Sequence, residues 1–214
     1  MKGMILAAGR GSRMMPLTKN TPKPLLKINN ETLIEKRIKA FKKANITDII
    51  INIAYLGEQI KDYLKNGKKF GVNITYSEEK EGGLETAGGI IKVLDFFEKK
   101  PFIVSNSDIL CDYSLNNLTL KKKSLAHLVL VNNPKHNPQG DFGIENSFAT
   151  LEKEFTFSGI ACYHPELFKN IEVNKKIPLS IILKNNIIQQ KITAEHYQGS
   201  WEDIGTPERL NKNQ

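Results

Sequence analysis

Residues 3–25 read GMILAAGRGSRMMPLTKNTPKPL. The first six, 3–8, form an apolar run without a charge, the pattern of a strand buried on both faces. The run empties into Gly9-Arg10-Gly11-Ser12-Arg13, where two glycines strip side chains from a turn. Backbone amides in such a turn can approach a phosphate closely. Two common glycine motifs fail here. A dinucleotide fingerprint needs a third glycine where Met14 stands, and neither Gly9 nor Gly11 begins a loop that ends in GK[ST].

Working outward, the chain alternates short β-rich runs with amphipathic helical stretches. Residues 31–44 place Leu33, Ile34, Ile38 and Phe41 on one helical face, with Asn30 as the expected N-cap. Residues 48–54 (DIIINIA) read as a second buried strand, and 57–65 as a short helix closed by Asn66-Gly67. Val72, Ile74 and Tyr76 alternate as a third strand, 87–97 is helical, and 101–105 is a fourth strand that leads to Asp108. The second half is less regular: strands at 125–131 and 155–163, a helix at 178–184, an extended run at 192–197, and Thr206-Pro207 as a helix cap. No linker or repeat interrupts the pattern. The expectation is one α/β domain over residues 1–214, with a mainly parallel sheet covered by helices on both faces.

Composition narrows the function classes. Of 214 residues, 40% are hydrophobic and 25% charged, which excludes disordered, collagenous and disulfide-framed chains. No apolar run approaches the ~18 residues of a membrane span, and the N-terminal run is too short for a signal peptide. Cys111 and Cys162 form no CxxC pair, so free thiols and a cytoplasmic location are expected. The net charge of +8 raises a nucleic-acid reading. The lysines, however, come as scattered doublets and one triplet at 121–123, with no interleaved aromatics. They read as solvated faces that steer small anions, with neither nucleic acid nor membrane as partner.

Arg13 and Lys23 add cationic chemistry to the glycine turn. Arg offers a planar fork for phosphate oxygens and Lys a point charge, here between Pro22 and Pro24. This stretch, Gly9-x-Gly11-Ser12-Arg13-x-x-Pro16-x-Thr18 followed by Pro22-Lys23-Pro24, resembles the signature of the sugar-phosphate nucleotidyltransferase family. The resemblance implies a Rossmann-like αβα sandwich with a mainly parallel mixed central sheet. It also implies the joining of a nucleoside triphosphate to a sugar 1-phosphate. On that resemblance Ala8, Gly9, Gly11, Ser12, Arg13, Lys23, Glu85 and Gly88 would bind nucleotide. Arg13 would hold the β- and γ-phosphates, and Lys23 the α-phosphate.

Asp108, at a strand end, and Asp203, in Trp201-Glu202-Asp203-Ile204-Gly205-Thr206, match the family's two metal-binding aspartates. Their oxygen donors suit Mg²⁺. His127, His136, His164 and His196 show no ligand spacing for a transition metal. Residues 84–89 (LETAGG) match a segment that packs on the base, with Glu85 where most members carry Gly. That Glu resembles a narrower group, the N-acetylmuramic acid 1-phosphate uridylyltransferases of cell-wall recycling. The implied substrates are UTP and N-acetyl-α-muramate 1-phosphate, for a monomer or small homo-oligomer. The alternatives are GTP with mannose 1-phosphate, dTTP with glucose 1-phosphate, or a catalytically dead module that binds nucleotide sugars. Asn106, Asp141 and Ser158 are the expected sugar contacts. The family's E-K-P lysine has no clear counterpart, and Lys153 reads as a solvated loop charge.

Overall fold

The computed structural model describes residues 1–80, 82–121 and 123–214. Glu81, and Lys122 in the middle of the lysine triplet, lie outside the described residues. In chain order the elements are β1 (Lys2–Leu6), β2 (Lys27–Ile28), β3 (Glu31–Thr32), α1 (Leu33–Lys43), β4 (Asp48–Ile53), α2 (Gly57–Leu64), β5 (Asn73–Glu78) and α3 (Glu85–Ile91). There follow β6 (Phe102–Asn106), β7 (Ile109–Cys111), β8 (Ala126–Val131), β9 (Phe142–Glu145), β10 (Phe148–Tyr163), α4 (Leu179–Ile188), β11 (Ile192–Tyr197), β12 (Trp201–Asp203) and α5 (Pro207–Lys212).

The main sheet runs β11-β8-β10-β6-β1-β4-β5, with β9 paired to β10. β6, β1, β4 and β5 are parallel, β10 is antiparallel to both β6 and β8, and β8 is parallel to β11. The sheet is therefore mixed and mainly parallel. From β1 the chain moves to β4 and β5 on one side, then crosses to β6 on the other. The carboxyl ends of β1, β4 and β6 thus form a topological switch point, where open α/β sheets bind ligands.

Side chains on β1 alternate between two cores. Met4 packs with Ile50, Val104, Ala87, Ile90, Leu179 and Leu183, which places α3 and α4 on one face. Ile5 packs with Ile51, Ile103, Ile34, Ile38, Phe41, Ile60 and Leu64, which places α1 and α2 on the other. This is the expected αβα sandwich. Burial of each large side chain contributes ~1.5–3 kcal/mol, so both layers are held firmly to the sheet.

Four local expectations change. The N-cap of α1 is Thr32, not Asn30: Glu35 N donates to Thr32 Oγ1 at 3.2 Å, and Thr32 N donates to the Glu35 carboxylate at 2.8 Å. This reciprocal box satisfies two orphan donors, while Asn29 and Asn30 take positive φ in the β2–β3 turn. The helix expected over 87–97 breaks after Ile91, and a separate 3₁₀ turn covers Leu94–Phe97. β10 begins at Phe148, seven residues earlier than expected, because its first half pairs with β9 in a largely exposed hairpin without an apolar rhythm. α4 continues past Lys184 to Ile188.

Candidate active site

The switch point opens on a cavity of about 640 Å³. A neighbouring cavity of about 570 Å³ shares Leu6, Glu85, Thr86 and Asn106 with it as a common wall. Ala8, Gly9, Gly11, Ser12, Arg13 and Lys23 all line the first cavity.

Local chemistry sets the shape of the glycine turn. Gly11 has φ +67°, and a Cβ there would stand 3.1 Å from both Lys23 Cβ and Thr18 Cγ2. Only glycine tolerates this close left-handed turn without strain. Thr18 Oγ1 donates to Gly11 O at 2.9 Å, and Tyr55 Oη donates to the carbonyls of Thr18 and Lys19. Arg13 sits in the 3₁₀ turn Ser12–Met14, is exposed, and has no ion pair among the described residues. Lys23 opens a second 3₁₀ turn, capped by Pro22, and its Nζ pairs with Asp108 Oδ2.

Asp108 and Asp203 meet through a strand pair that the sequence pattern did not reveal. β7 and β12 are antiparallel with Asp203 opposite Ile109, and Ile204 N donates to Asp108 O at 2.9 Å. Asp203 Oδ1 is held by Arg209 Nη1 at 3.1 Å and His136 Nε2 at 2.9 Å. Its Oδ2 lies beside Gly205, which lines the first cavity. Asp108 and Asp203, neighbours along this backbone pairing, each keep one carboxylate oxygen without a partner among the described residues, the kind of donor Mg²⁺ takes while it keeps several waters. Among the described residues no group of three or more His, Cys, Asp or Glu forms a closed metal cage. His136, set aside for want of ligand spacing, thus lies next to Asp203, 67 residues on in the chain.

A buried polar network supports the far wall. Asn52 Oδ1 accepts from Ala7 N at 2.9 Å, Asn52 Nδ2 donates to Glu79 Oε1 at 2.8 Å, and Leu84 N donates to Glu79 Oε2 at 2.7 Å. It ties the ends of β1, β4 and β5 to the start of α3. The signal for Asn52 was present in the sequence: it is the one polar residue within the run IIINIA.

Two expected nucleotide contacts stand differently. Glu85 lines both cavities and is exposed, with φ +61°. The left-handed backbone is one that glycine adopts freely and that strains a residue with a side chain. Gly88 is buried, and a Cβ on it would lie 2.2 Å from the carbonyl oxygen of Lys175. Its evident task is to let α3 approach the segment that leads into α4, where Ala87 N donates to Ile177 O at 3.1 Å.

The expected sugar contacts also divide. Asn106 and Asp141 line the second cavity, and Asp141 Oδ2 additionally accepts from Phe157 N at 2.8 Å and from Asn137 Nδ2 at 3.3 Å. Ser158 is fully buried, and its Oγ accepts from Ile160 N at 3.2 Å. The wall residue beside it is Gly159, whose left-handed φ of +77° turns the strand so that Ser158 is withdrawn. Lys153 lines this cavity on β10 rather than standing in a loop. It falls where the β9–β10 register shifts between Thr150 and Phe155, a bulge of the kind that re-aims side chains beside sites. Elsewhere, burial pushes the Cys162 thiol up to about 12 and raises that of Cys111, so neither free thiol is poised as a nucleophile.

A glycine turn with Arg and Lys at the switch point of a mixed α/β sheet, with Asp108 in the same wall and Asp203 beside Gly205, defines a phosphate-handling protein of the Rossmann-like class. Residues 2–214 match the Nucleotidyl transferase family, and the chain belongs to it. It is 44% identical to the N-acetylmuramate alpha-1-phosphate uridylyltransferase of Neisseria meningitidis serogroup B, over 100% of this chain and 97% of that protein. It is 32% identical to the mannose-1-phosphate guanyltransferase of Saccharomyces cerevisiae, over 97% of this chain but only 62% of the yeast protein. Among solved structures, a Bacillus anthracis protein provisionally described as a glucose-1-phosphate thymidylyltransferase, in complex with sucrose, superimposes with a TM-score of 0.86 at 24% identity. It matches 100% of this chain and 93% of its own. The inositol-1-phosphate CTP transferase of T. maritima gives 0.81 at 17% identity, over 98% of this chain and 91% of its own. Both likenesses concern the fold. Among the described residues no helix is long and apolar enough to cross a membrane.

Proposed function

We propose that this protein joins UTP to N-acetyl-α-muramate 1-phosphate, forming the UDP-sugar and releasing pyrophosphate. Such a reaction returns a cell-wall amino sugar to the nucleotide-sugar pool. The observation that carries the reading is the pair of cavities with one common wall. One has the phosphate turn and the other lacks it, so two phosphorylated substrates can be held end to end. The choice of uridylyl and muramate rests on the full-length likeness to the Neisseria protein.

In this reading a phosphate oxygen of the sugar attacks the α-phosphorus in line. The bond to the β-phosphate bridge breaks, and pyrophosphate leaves with the electron pair. The nucleophile is already ionised at neutral pH, so no side-chain base takes a proton. The residues position two anions that repel each other and stabilise the charge that develops. Arg13, unpaired in the turn, binds the β- and γ-phosphates with the amides of residues 9–12. Lys23 turns from Asp108 to the α-phosphate. Asp108 and Asp203 would hold Mg²⁺, which supplies charge neutralisation on the phosphates. Asn106 and Asp141 contact the sugar, and Lys153 takes the place of the family's sugar-phosphate lysine. All of these side chains come from one chain in a cytoplasmic protein, and the reaction needs neither nucleic acid nor membrane.

The test is pyrophosphate release by purified protein with Mg²⁺, using UTP, GTP, dTTP and CTP against several sugar 1-phosphates. UTP with the muramate should have the highest kcat/KM. A higher value for GTP with mannose 1-phosphate would move the protein to the yeast enzyme's chemistry, and no release with any pair would make it a binding module.

A further inference from the structure

Beyond the wall shared with the nucleotide cavity, α4 presents Leu179, Ser180, Leu183 and Lys184 to the second cavity. Ser180 and Lys184 are four residues apart, as are Leu179 and Leu183, so a polar row and an apolar row lie side by side on one helix face. Among the described residues Lys184 has no ion pair. Of the carboxylates lining this cavity, Asp141 is committed to Phe157 N and Asn137, and Glu85 stands at the other end, in the wall shared with the nucleotide cavity.

The start of α4 is anchored beside that wall, because Ile177 N donates to Leu84 O at 3.1 Å and Ile177 O accepts from Ala87 N. Lys184 lies six residues beyond Pro178, or ~9 Å along the helix axis at ~1.5 Å per residue. A hexose 1-phosphate with its phosphate at the shared wall would extend its ring along this face toward Lys184.

We propose that this face of α4 reads an acidic ether substituent on the sugar. Lys184 and Ser180 take the carboxylate of the lactyl group of N-acetylmuramate 1-phosphate, and Leu179 and Leu183 take its methyl. The proposal rests on the sugar-phosphate reading above and makes Lys184 the residue that separates the muramate from N-acetylglucosamine 1-phosphate. A lactyl group is apolar on one side and anionic on the other, as this face is. Lys184 is exposed, so water screens the pair and the discrimination is on the order of tenfold rather than the 10⁴ of a fully buried polar site.

The experiment measures kcat/KM for both sugar 1-phosphates with UTP and Mg²⁺, in the wild type and in Lys184→Met, Lys184→Arg and Lys153→Met. The wild-type ratio should favour the muramate by about tenfold or more, and Lys184→Met should bring it close to one. Lys184→Arg, which keeps the charge, should retain most of the ratio. Lys153→Met, acting on the phosphate that both substrates carry, should lower both values in parallel. A Lys184→Met ratio within about twofold of the wild type overturns the proposal, whether both rates persist or fall together as a structural role would make them. In that case the muramate reading stands. A wild-type ratio near one overturns the muramate reading and this proposal together.

Discussion

Gly88→Ala separates two accounts of the LETAGG segment. A methyl group at this buried position would meet the Lys175 carbonyl oxygen at 2.2 Å and Leu84 Cβ at 3.0 Å. The first neighbour is backbone, so α3 or the 175–177 segment must move. Forcing an extra carbon into a packed interior costs ~1–3 kcal/mol. For a protein of this length ~1 kcal/mol lowers Tm by ~2–4 °C, so a loss of about 4–8 °C is expected near the middle of that range. Because Glu79 holds the start of α3 through Leu84 N, the 175–177 segment yields, and the displacement passes through Ile177 into α4, a wall of the second cavity and not of the first. KM for the sugar 1-phosphate should rise about fivefold, equivalent to ~1 kcal/mol, while KM for UTP changes little. Calorimetric melting and steady-state kinetics with each substrate varied in turn give both numbers. An unchanged Tm with a raised KM for UTP would refute the packing account and return Gly88 to the base.

Three further outcomes are expected. Arg13→Ala should lower kcat/KM by ~10²-fold, the scale of losing one aimed electrostatic donor, with no loss of Tm because Arg13 is exposed and unpaired; near-normal turnover in the folded variant would remove it from the site. Asp108→Asn and Asp203→Asn should each raise the Mg²⁺ concentration needed for half-maximal rate, and the double variant should cost little more than either, as for groups that share one ion; multiplicative losses in a titration of rate against Mg²⁺ would deny the shared site. Glu85→Gly relieves a left-handed residue worth ~1–2 kcal/mol against ~0.5–1 kcal/mol of added chain entropy, so Tm should rise by up to ~6 °C. A fall in Tm on melting would mean that the Glu85 carboxylate stabilises the fold.

The parallel half of the sheet was legible because its strands are buried on both faces and must read as continuous apolar runs, as 3–8 and 49–53 do. The glycine turn was legible because a left-handed φ at Gly11, and a lysine between two prolines, are demands on the residue itself. The first half of β10 was not, since residues 148–155 pair in a largely exposed hairpin where solvent permits almost any side chain. Thr32 displaced Asn30 as the N-cap because the β2–β3 turn claimed both asparagines. Residue type also said nothing of direction. Ser158 and Lys153 sit on the same strand, yet Gly159 withdraws the first and a register shift delivers the second to the cavity. Asp108, Asp203 and Arg209 come together only through the β7–β12 pairing and the start of α5, and His136 reaches Asp203 from the β8–β9 connection. The chain's local chemistry determined which side chains were available for the phosphate, metal and sugar roles proposed above. Which of them share a wall was decided by strand pairings between distant segments, because the side a residue faces depends on the partner strand and not on its neighbours in sequence.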